Sequence, residues 1–370
     1  MTQESLNMNA PVRAGLTEAK GYYKPFRYPW AFNAYQLQKK MDWVPEEVPL
    51  GDDVRDFKSN ISPAARNLLT QLFRFFTTGD VDVGQAYMDK YIPIFKNEEV
   101  RMMLSQFAAM ESLHAHAYSL LLDTVGMPEI EYQAFREYEE MAAKHDYVNS
   151  FQVDSEVDVA KALAVFSAFT EGLQLFSTFA ILMNFSRGDL PGGARMKGMT
   201  QIVTWSIRDE SLHVECMTRL FREYIAERPH LWTQTLRDEL YDICRKMVEL
   251  EDRFIDLAFS EGDIEGLTPG EVKLYIRHIA DRRLKQLNLD PMYHQSNPLK
   301  WLDYILSGVE FTNFFEQRAT EYARATLTGD WDQDVWAKQG DDSLLIRNEL
   351  VVMSDDDPDK ALRTLATHGV

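Results

Sequence analysis

The chain has 370 residues, 45% hydrophobic and 26% charged, with 39 Lys and Arg against 58 Asp and Glu for a formal net charge of −19 at pH 7. That is ample material for a large core and gives no case for wholesale disorder. The acidic excess argues against a nucleic-acid or anionic-membrane binder, because both need a basic face, and two cysteines, Cys216 and Cys244, exclude a disulfide scaffold or thiolate metal cage and suit a reducing cytosol.

Residues 1–20 are polar, lack the apolar run of a secretory leader and read as the main part of a flexible N-terminal arm over 1–24. Ser62 followed by Pro63 predicts a helix N-terminus, with an apolar pattern running to about Tyr91. Asn97, Glu98 and Glu99 open a second helix that Gly126 and Pro128 close, and a more polar third is expected from about Pro128 to His145. Ser155 begins a fourth. Its stretch from Ala162 to Phe185 is long enough to span a bilayer but carries Glu171 at its middle, at a cost of about 3 kcal/mol in lipid. A helix buried on all sides within a large helical protein is the better reading, and it requires that something neutralise Glu171. Further helices are expected over about 194–226, 231–260, 269–287 and 304–327. With no alternating strand pattern, fixed-period repeat or glycine-rich phosphate loop, the prediction is one all-α domain over 25–327. Its helices exceed the usual mean of about 11–12 residues more than twofold. Residues 328–370 then read as an acidic C-terminal tail; within it, 330–360 hold ten acids and three bases.

Ionisable groups in the middle of apolar stripes are the informative exceptions. Asp80 follows Phe73 and Phe76 and precedes Val83 and Tyr87 at 3-4-3-4 spacing, whereas Asp82 falls on another face and is expected in solvent. Glu111 and His114 share a face with Leu104, Phe107, Ala108, Ala115 and Tyr118; Glu171 lies with Ala168, Gln174 and Leu175; Glu210 and His213 lie with Val203, Ile207, Val214 and Met217. Residues three apart on a helix sit side by side and can bind one metal ion together. Two Glu-x-x-His pairs with one lone carboxylate from each of two other helices make the dinuclear carboxylate site of ferritin-like bundles. Four buried anions would repel one another, and two divalent ions cancel them.

One Glu-x-x-His is weak, since eight histidines in an acidic chain produce about one by chance. Glu227 and His230 have the same spacing but enclose Pro229 at a polar helix end and read as a decoy. His116 faces away from His114, and the FRFF run at 73–76 and Met102, Met103 and Met110 read as core.

The run ESLHAHAY at 111–118 closely resembles the radical-bearing small (beta) subunit of class I ribonucleotide reductase. RDESLH at 208–213, Asp80, Glu171 and WVPEE at 43–47 continue the match, which covers about residues 25–325. The resemblance implies that Asp80, Glu111 and His114 hold one iron or manganese ion and Glu171, Glu210 and His213 the other. It implies that oxygen reacting at the reduced metals oxidises Tyr118 to a neutral radical. Asp209 would link a histidine ligand to Trp43 as an electron route, and the radical would pass to a cysteine of a separate large subunit that reduces ribonucleotides. A cytoplasmic homodimer that binds neither nucleic acid nor membrane is expected. Leu175 and Phe179 are expected as apolar walls for the radical, while Ser206 is more polar than the family's usual residue. The family's tail tyrosine has no counterpart after Tyr322, leaving Trp331 or Trp336 as candidate relays and the tail's apolar residues to dock the partner. Two rivals are a dimetal oxidase or hydroxylase with its own substrate pocket, which Asp80 and Tyr118 disfavour, and a ferritin-like iron store, for which the chain is about twice the needed size.

Overall fold

The computed structural model describes residues 14–305. Among them the architecture is helical, with one isolated β-bridge between Ile264 and Leu267. The helices are α1 (Pro29–Lys40), α2 (Gly51–Arg55), α3 (Pro63–Gln85), α4 (Glu98–Val125), α5 (Glu139–Asn149), α6 (Glu156–Leu163), α7 (Leu175–Met183), α8 (Lys197–Glu227), α9 (Gln234–Ala258) and α10 (Pro269–Gln286). They belong to a compact unit that closes at Pro298. The expected helix over 304–327 and the tail over 328–370 lie outside the described residues but for Tyr304 and Ile305.

Local chemistry accounts for the ends. The Ser62 hydroxyl accepts from the Ala65 amide ahead of Pro63, which satisfies a donor that the helix itself cannot. Gly126 closes α4 at φ 83°, a left-handed conformation that costs glycine little. Thr268 and Glu271 form a reciprocal capping box on α10. The start of α8 is capped from a distance: Asp53 of α2 accepts from the amides of Gly198 (2.9 Å) and Met199 (2.7 Å), and Asp56 from Met196 (2.9 Å). These carboxylates also complement the positive end of the helix dipole.

Three helices widen to π geometry, and α2 does so over Asp56–Asn60. α3 runs into a π turn over Ala86–Tyr91, and an eleven-residue π segment, Ala164–Gln174, joins α6 to α7. The widening leaves the Gly172 carbonyl to the fully buried Arg283 of α10, whose Nε donates to it at 2.7 Å. A Cβ on residue 172 would stand 2.7 Å from that Nε, so only glycine fits there. The run Glu156–Ser186, apolar enough to cross a membrane, has its most apolar window wholly buried between α8, α9, α10 and α3.

Three expectations are corrected. The segment after Pro128 is two 3-10 turns, Glu129–Tyr132 and Ala134–Glu137, broken by extended Tyr138 before α5 begins; its sequence lacks the apolar stripe that would hold one long helix to the core. Asp82 is not in solvent: it is buried against α5, with His145 Nδ1 at 2.7 Å. The reading of 1–20 as an arm fails at its end, where Leu16 is fully buried and Lys20 pairs with Glu99 at 2.6 Å. Sequence reading also passed over α1 and α2, which carry groups that reach the site.

A second buried ion pair lies outside the metal cluster. Lys144 Nζ stands 2.6 Å from Glu251 Oε2 with neither side chain exposed, and 4.0 and 4.1 Å from the ring centroids of Phe75 and Phe254; Ser177 donates to the other Glu251 oxygen. Removing one charge strands the other. Lys144→Met should therefore cost about 3–5 kcal/mol, and Lys144→Met/Glu251→Leu should regain most of it. Urea unfolding midpoints check this, and a single variant as stable as the wild type would contradict it.

Candidate metal centre

Four long helical elements deliver the cluster, each from an apolar stripe. α3 supplies Asp80, α4 Glu111 and His114, the π segment Glu171, and α8 Glu210 and His213. All six side chains are at most 2% exposed. One ligand atom from each of Glu111, Glu171, Glu210 and His213 lies within 4.8 Å of the others. His213 Nδ1 is 2.9 Å from Glu111 Oε1, 3.5 Å from Glu210 Oε2 and 3.9 Å from Glu171 Oε1. His114 Nδ1 lies 3.2 Å from Glu210 Oε1 and 3.6 Å from Glu111 Oε2. Asp80 sits within electrostatic reach of both histidines, Glu111 and Glu210, and its Oδ2 has no hydrogen-bond partner.

These contacts are close without being aligned. Both oxygens of Glu111 and of Glu210, Oε2 of Glu171 and Nδ1 of both histidines lack hydrogen-bond geometry despite full burial. Orphaned buried acceptors are costly, and lone pairs converging from carboxylates and imidazoles are the donor set of a divalent first-row metal. The residues present fit a dinuclear centre.

Proton affinities carry the same strain. Burial, reinforced by Glu210, drives Glu171 well above the usual carboxylate range, and burial with Glu111 and Glu210 does so for Asp80. Burial pulls the imidazoles down, but Asp209, Glu111 and Glu210 more than reverse this for His114; Glu111 and Glu210 raise His213 to about 10. Glu111 is the exception: burial pushes it up, yet the two histidines hold it below its ordinary value.

Around the cluster, Asp209 is a fully buried junction. Its Oδ2 accepts from Trp43 Nε1 at 2.9 Å and faces His114 Nε2 at 3.3 Å; its Oδ1 accepts from Gln38 Nε2 of α1 at 3.2 Å. His114 is thereby oriented with Nδ1 toward the carboxylates and Nε2 toward Asp209, the arrangement that fixes a ligating imidazole. Arg208 donates to the Met41 carbonyl at 2.6 Å, and Trp43 packs on Trp205 with ring centroids 5.0 Å apart.

Tyr118, 1% exposed, donates to Ser206 Oγ at 3.0 Å. The ring of Phe76 meets it edge-on at 4.2 Å, and Phe179 backs Phe76 at 5.6 Å. Leu175 approaches α3 at Gly79, where an added Cβ would lie 3.6 Å away. Burial, with Asp80, keeps the phenol protonated at any ordinary pH.

The remaining sequence candidates lie elsewhere. Glu227 accepts from Tyr28 and Leu16, while His230 faces Glu156. His116 is exposed beside Glu46. Sequence reasoning missed Tyr87, whose hydroxyl donates to Glu171 Oε1 at 2.8 Å; its place on the Asp80 stripe two helical turns on was the available signal. It also missed Gln38, for which the sequence of α1 offers no signal. A cavity of about 450 Å³ is lined by Tyr35, Glu98, Arg101, Met102, Ser105 and Gln106, none of them in the cluster.

Comparison with known proteins agrees with this geometry. The family model described as ribonucleotide reductase, small chain, matches residues 21–298. A probable ribonucleoside-diphosphate reductase small subunit of Invertebrate iridescent virus 6 is 42% identical over 87% of this chain and 99% of its own length. A ribonucleoside-diphosphate reductase subunit beta of Chlamydia pneumoniae is 30% identical over 81% of this chain and 89% of its own. Among solved structures, the ribonucleotide reductase R2 subunit from Clostridium botulinum superposes with a TM-score of 0.73 at 22% identity, covering 80% of this chain and 94% of that one. The fold is the ferritin-like fold of such subunits.

Because the surroundings raise the proton affinities of Asp80, Glu171, His114 and His213, metal binding competes with protons at the site. Anaerobic titration with iron(II) or manganese(II) in weak buffer with an indicator dye should therefore acidify the solution, and affinity should rise with pH. Binding that releases no protons would show the four groups to be deprotonated already and contradict this.

Proposed function

This chain belongs to the ribonucleotide reductase small-chain family, and from that premise we propose how its buried cluster and Tyr118 serve a small subunit of ribonucleoside-diphosphate reductase. Asp80, Glu111 and His114 would hold one metal ion and Glu171, Glu210 and His213 the other. When bound, two iron or manganese ions supply, through reaction with oxygen, the one-electron oxidising power that a tyrosine radical requires.

The protein's own residues do the rest. Tyr118 is the residue that would supply the electron; the Ser206 hydroxyl accepts its hydrogen bond and orients the phenol, and Phe76, backed by Phe179, shields its ring. Asp209 holds His114 in one orientation and joins it to Trp43, so that an electron can travel between the indole and the centre in either direction. The radical then leaves for a cysteine of a separate large catalytic subunit, where ribonucleotides are reduced. Homodimerisation and a cytoplasmic location belong to the same proposal, as does docking of the large subunit by the apolar residues of the tail.

The observation that carries this reading is the continuous chain of contacts from Trp43 through Asp209 to His114 and the cluster.

Low-temperature EPR after anaerobic loading with iron or manganese and exposure to oxygen should give a persistent tyrosyl signal in the wild type and none that persists in Tyr118→Phe. Absence of any radical with either metal would count against the proposal. Asp209→Asn should keep the Tyr118 signal after loading while lowering reductase activity with the large subunit by about 10–100-fold; unchanged turnover would remove Asp209 from the route.

A further inference from the structure

In and beside the π segment Ala164–Gln174, neutral hydroxyls donate to backbone carbonyls: Ser167 to Leu163, Thr170 to Val165 at 3.0 Å, Ser177 to Gln174 at 3.1 Å and Tyr91 to Ala162 at 2.9 Å. One carbonyl is treated differently. Gly172, the residue after Glu171, accepts from a cation on another helix, Arg283 Nε of α10 at 2.7 Å. The remaining contacts of this guanidinium are Nη1 to Gln286 Oε1 at 2.9 Å and the face of Phe176, whose ring centroid lies 4.8 Å from its carbon. Arg283 is buried, and the ionisable groups that act on it are Arg282 and Tyr275, with no carboxylate among them.

A buried cation without a counter-ion is costly. What offsets the cost here is a charge-assisted bond to a single backbone oxygen together with an aromatic face. The two contacts straddle the end of the widened stretch, since Gly172 lies within the π segment and Phe176 in α7 beyond it. Returning this stretch to α form would pair the Gly172 carbonyl with the amide four residues on and shift the register by one residue, a rotation of about 100° about the helix axis. Glu171 would then turn away from Glu111, Glu210 and His213.

We propose that Arg283 is a positioning residue for the metal centre: by holding the Gly172 carbonyl, it keeps the segment in the π form that aims Glu171 into the cluster. The proposal deepens the reading of that cluster as a two-metal site and rests on it. Gly172 is the other half of the device, because a Cβ there would stand 2.7 Å from Nε and 3.0 Å from Cδ of Arg283 and push the guanidinium off the carbonyl.

Anaerobic titration of the full chain with manganese(II), followed by EPR, tests the assignment, because the free ion, a single bound ion and an exchange-coupled pair give different spectra. The wild type should bind two ions and show the coupled signal. Arg283→Met should bind the second ion about 10–100-fold more weakly and show the single-ion signal at concentrations where the wild type shows the pair. Arg283→Lys, which keeps a charge and a donor, should recover part of the affinity. Gly172→Ala should show the same loss with Arg283 present, and Arg283→Met/Gly172→Ala should bind no more weakly than the weaker single variant, as two changes to one contact require. Asp281→Ala is the control for a loosened α10: Asp281 accepts from the amides of Met292, Tyr293 and Gln295, a loop rather than the π segment. There the coupled pair should survive. Urea midpoints of the metal-free variants separate lost positioning from lost folding. Two ions bound by Arg283→Met as tightly as by the wild type, losses that add in the double variant, or an equal loss in Asp281→Ala at matched stability would overturn the proposal. A wild type that binds fewer than two ions would overturn the two-metal reading and this proposal with it.

Discussion

The structure is organised around four carboxylates that an apolar core should not contain. Asp80, Glu111, Glu171 and Glu210 reach one small region from four helical elements, each buried to within 2%. In a medium of low polarizability their repulsion is large, and burial drives Asp80 and Glu171 well above the usual carboxylate range. Two imidazoles reduce the conflict without removing it: they hold Glu111 below its ordinary value while Asp80 and Glu171 stay well above theirs. A pair of divalent cations resolves it and satisfies the orphaned lone pairs in the same act. Everything around the cluster serves to hold those lone pairs in place until the cations arrive. Asp209 orients His114, Gln38 and Trp43 orient Asp209, and Asp53 and Asp56 anchor the start of the helix that carries Asp209, Glu210 and His213.

Delivering Glu171 requires a departure from ideal helix geometry. Over Ala164–Gln174 the chain takes the wider π form, which frees a carbonyl at Gly172 and swings side chains away from α-helical register. A widened helix is a weaker one, and here it is supported from outside. Arg283 fills the space above Gly172 and takes the released carbonyl, while Tyr87, at the second π turn, takes the Glu171 carboxylate. The two distortions meet across the core through that bond and through Tyr91, which reaches the Ala162 carbonyl. Local strain of this kind persists only when its surroundings fix it, and it collects where function needs a side chain in an unusual position.

This explains what the sequence could and could not reveal. The buried carboxylate and histidine cluster was legible because it is written in helical arithmetic: Glu111 with His114 and Glu210 with His213 are three apart, and Asp80 and Glu171 interrupt largely apolar stripes. Caps such as Ser62 and Gly126 were equally plain, since each acts on its immediate neighbours. What escaped depends on contacts far apart in the chain. Asp82 looked solvated because nothing local shows that His145 will pack over it. α1 has a stripe too weak to announce a helix, although Gln38 reaches Asp209 across 171 positions. The π segments were invisible as well, because a seven-residue apolar pattern does not distinguish a helix with 3.6 residues per turn from one locally unwound.

The apolar run at Ala162–Phe185 shows how one constraint decides between readings that composition leaves equal. By length and hydropathy the helix could cross a membrane, and its single charge would then be a defect to hide. Inside this bundle the same charge is the reason for the apolar surroundings. Low polarizability strengthens Glu171's grip on a cation as much as it penalises the carboxylate alone, and the absence of competing water leaves Tyr87 as its sole close phenolic partner among the described residues. The hydrophobicity that resembles a membrane signal is the packing that encloses a buried carboxylate and histidine cluster.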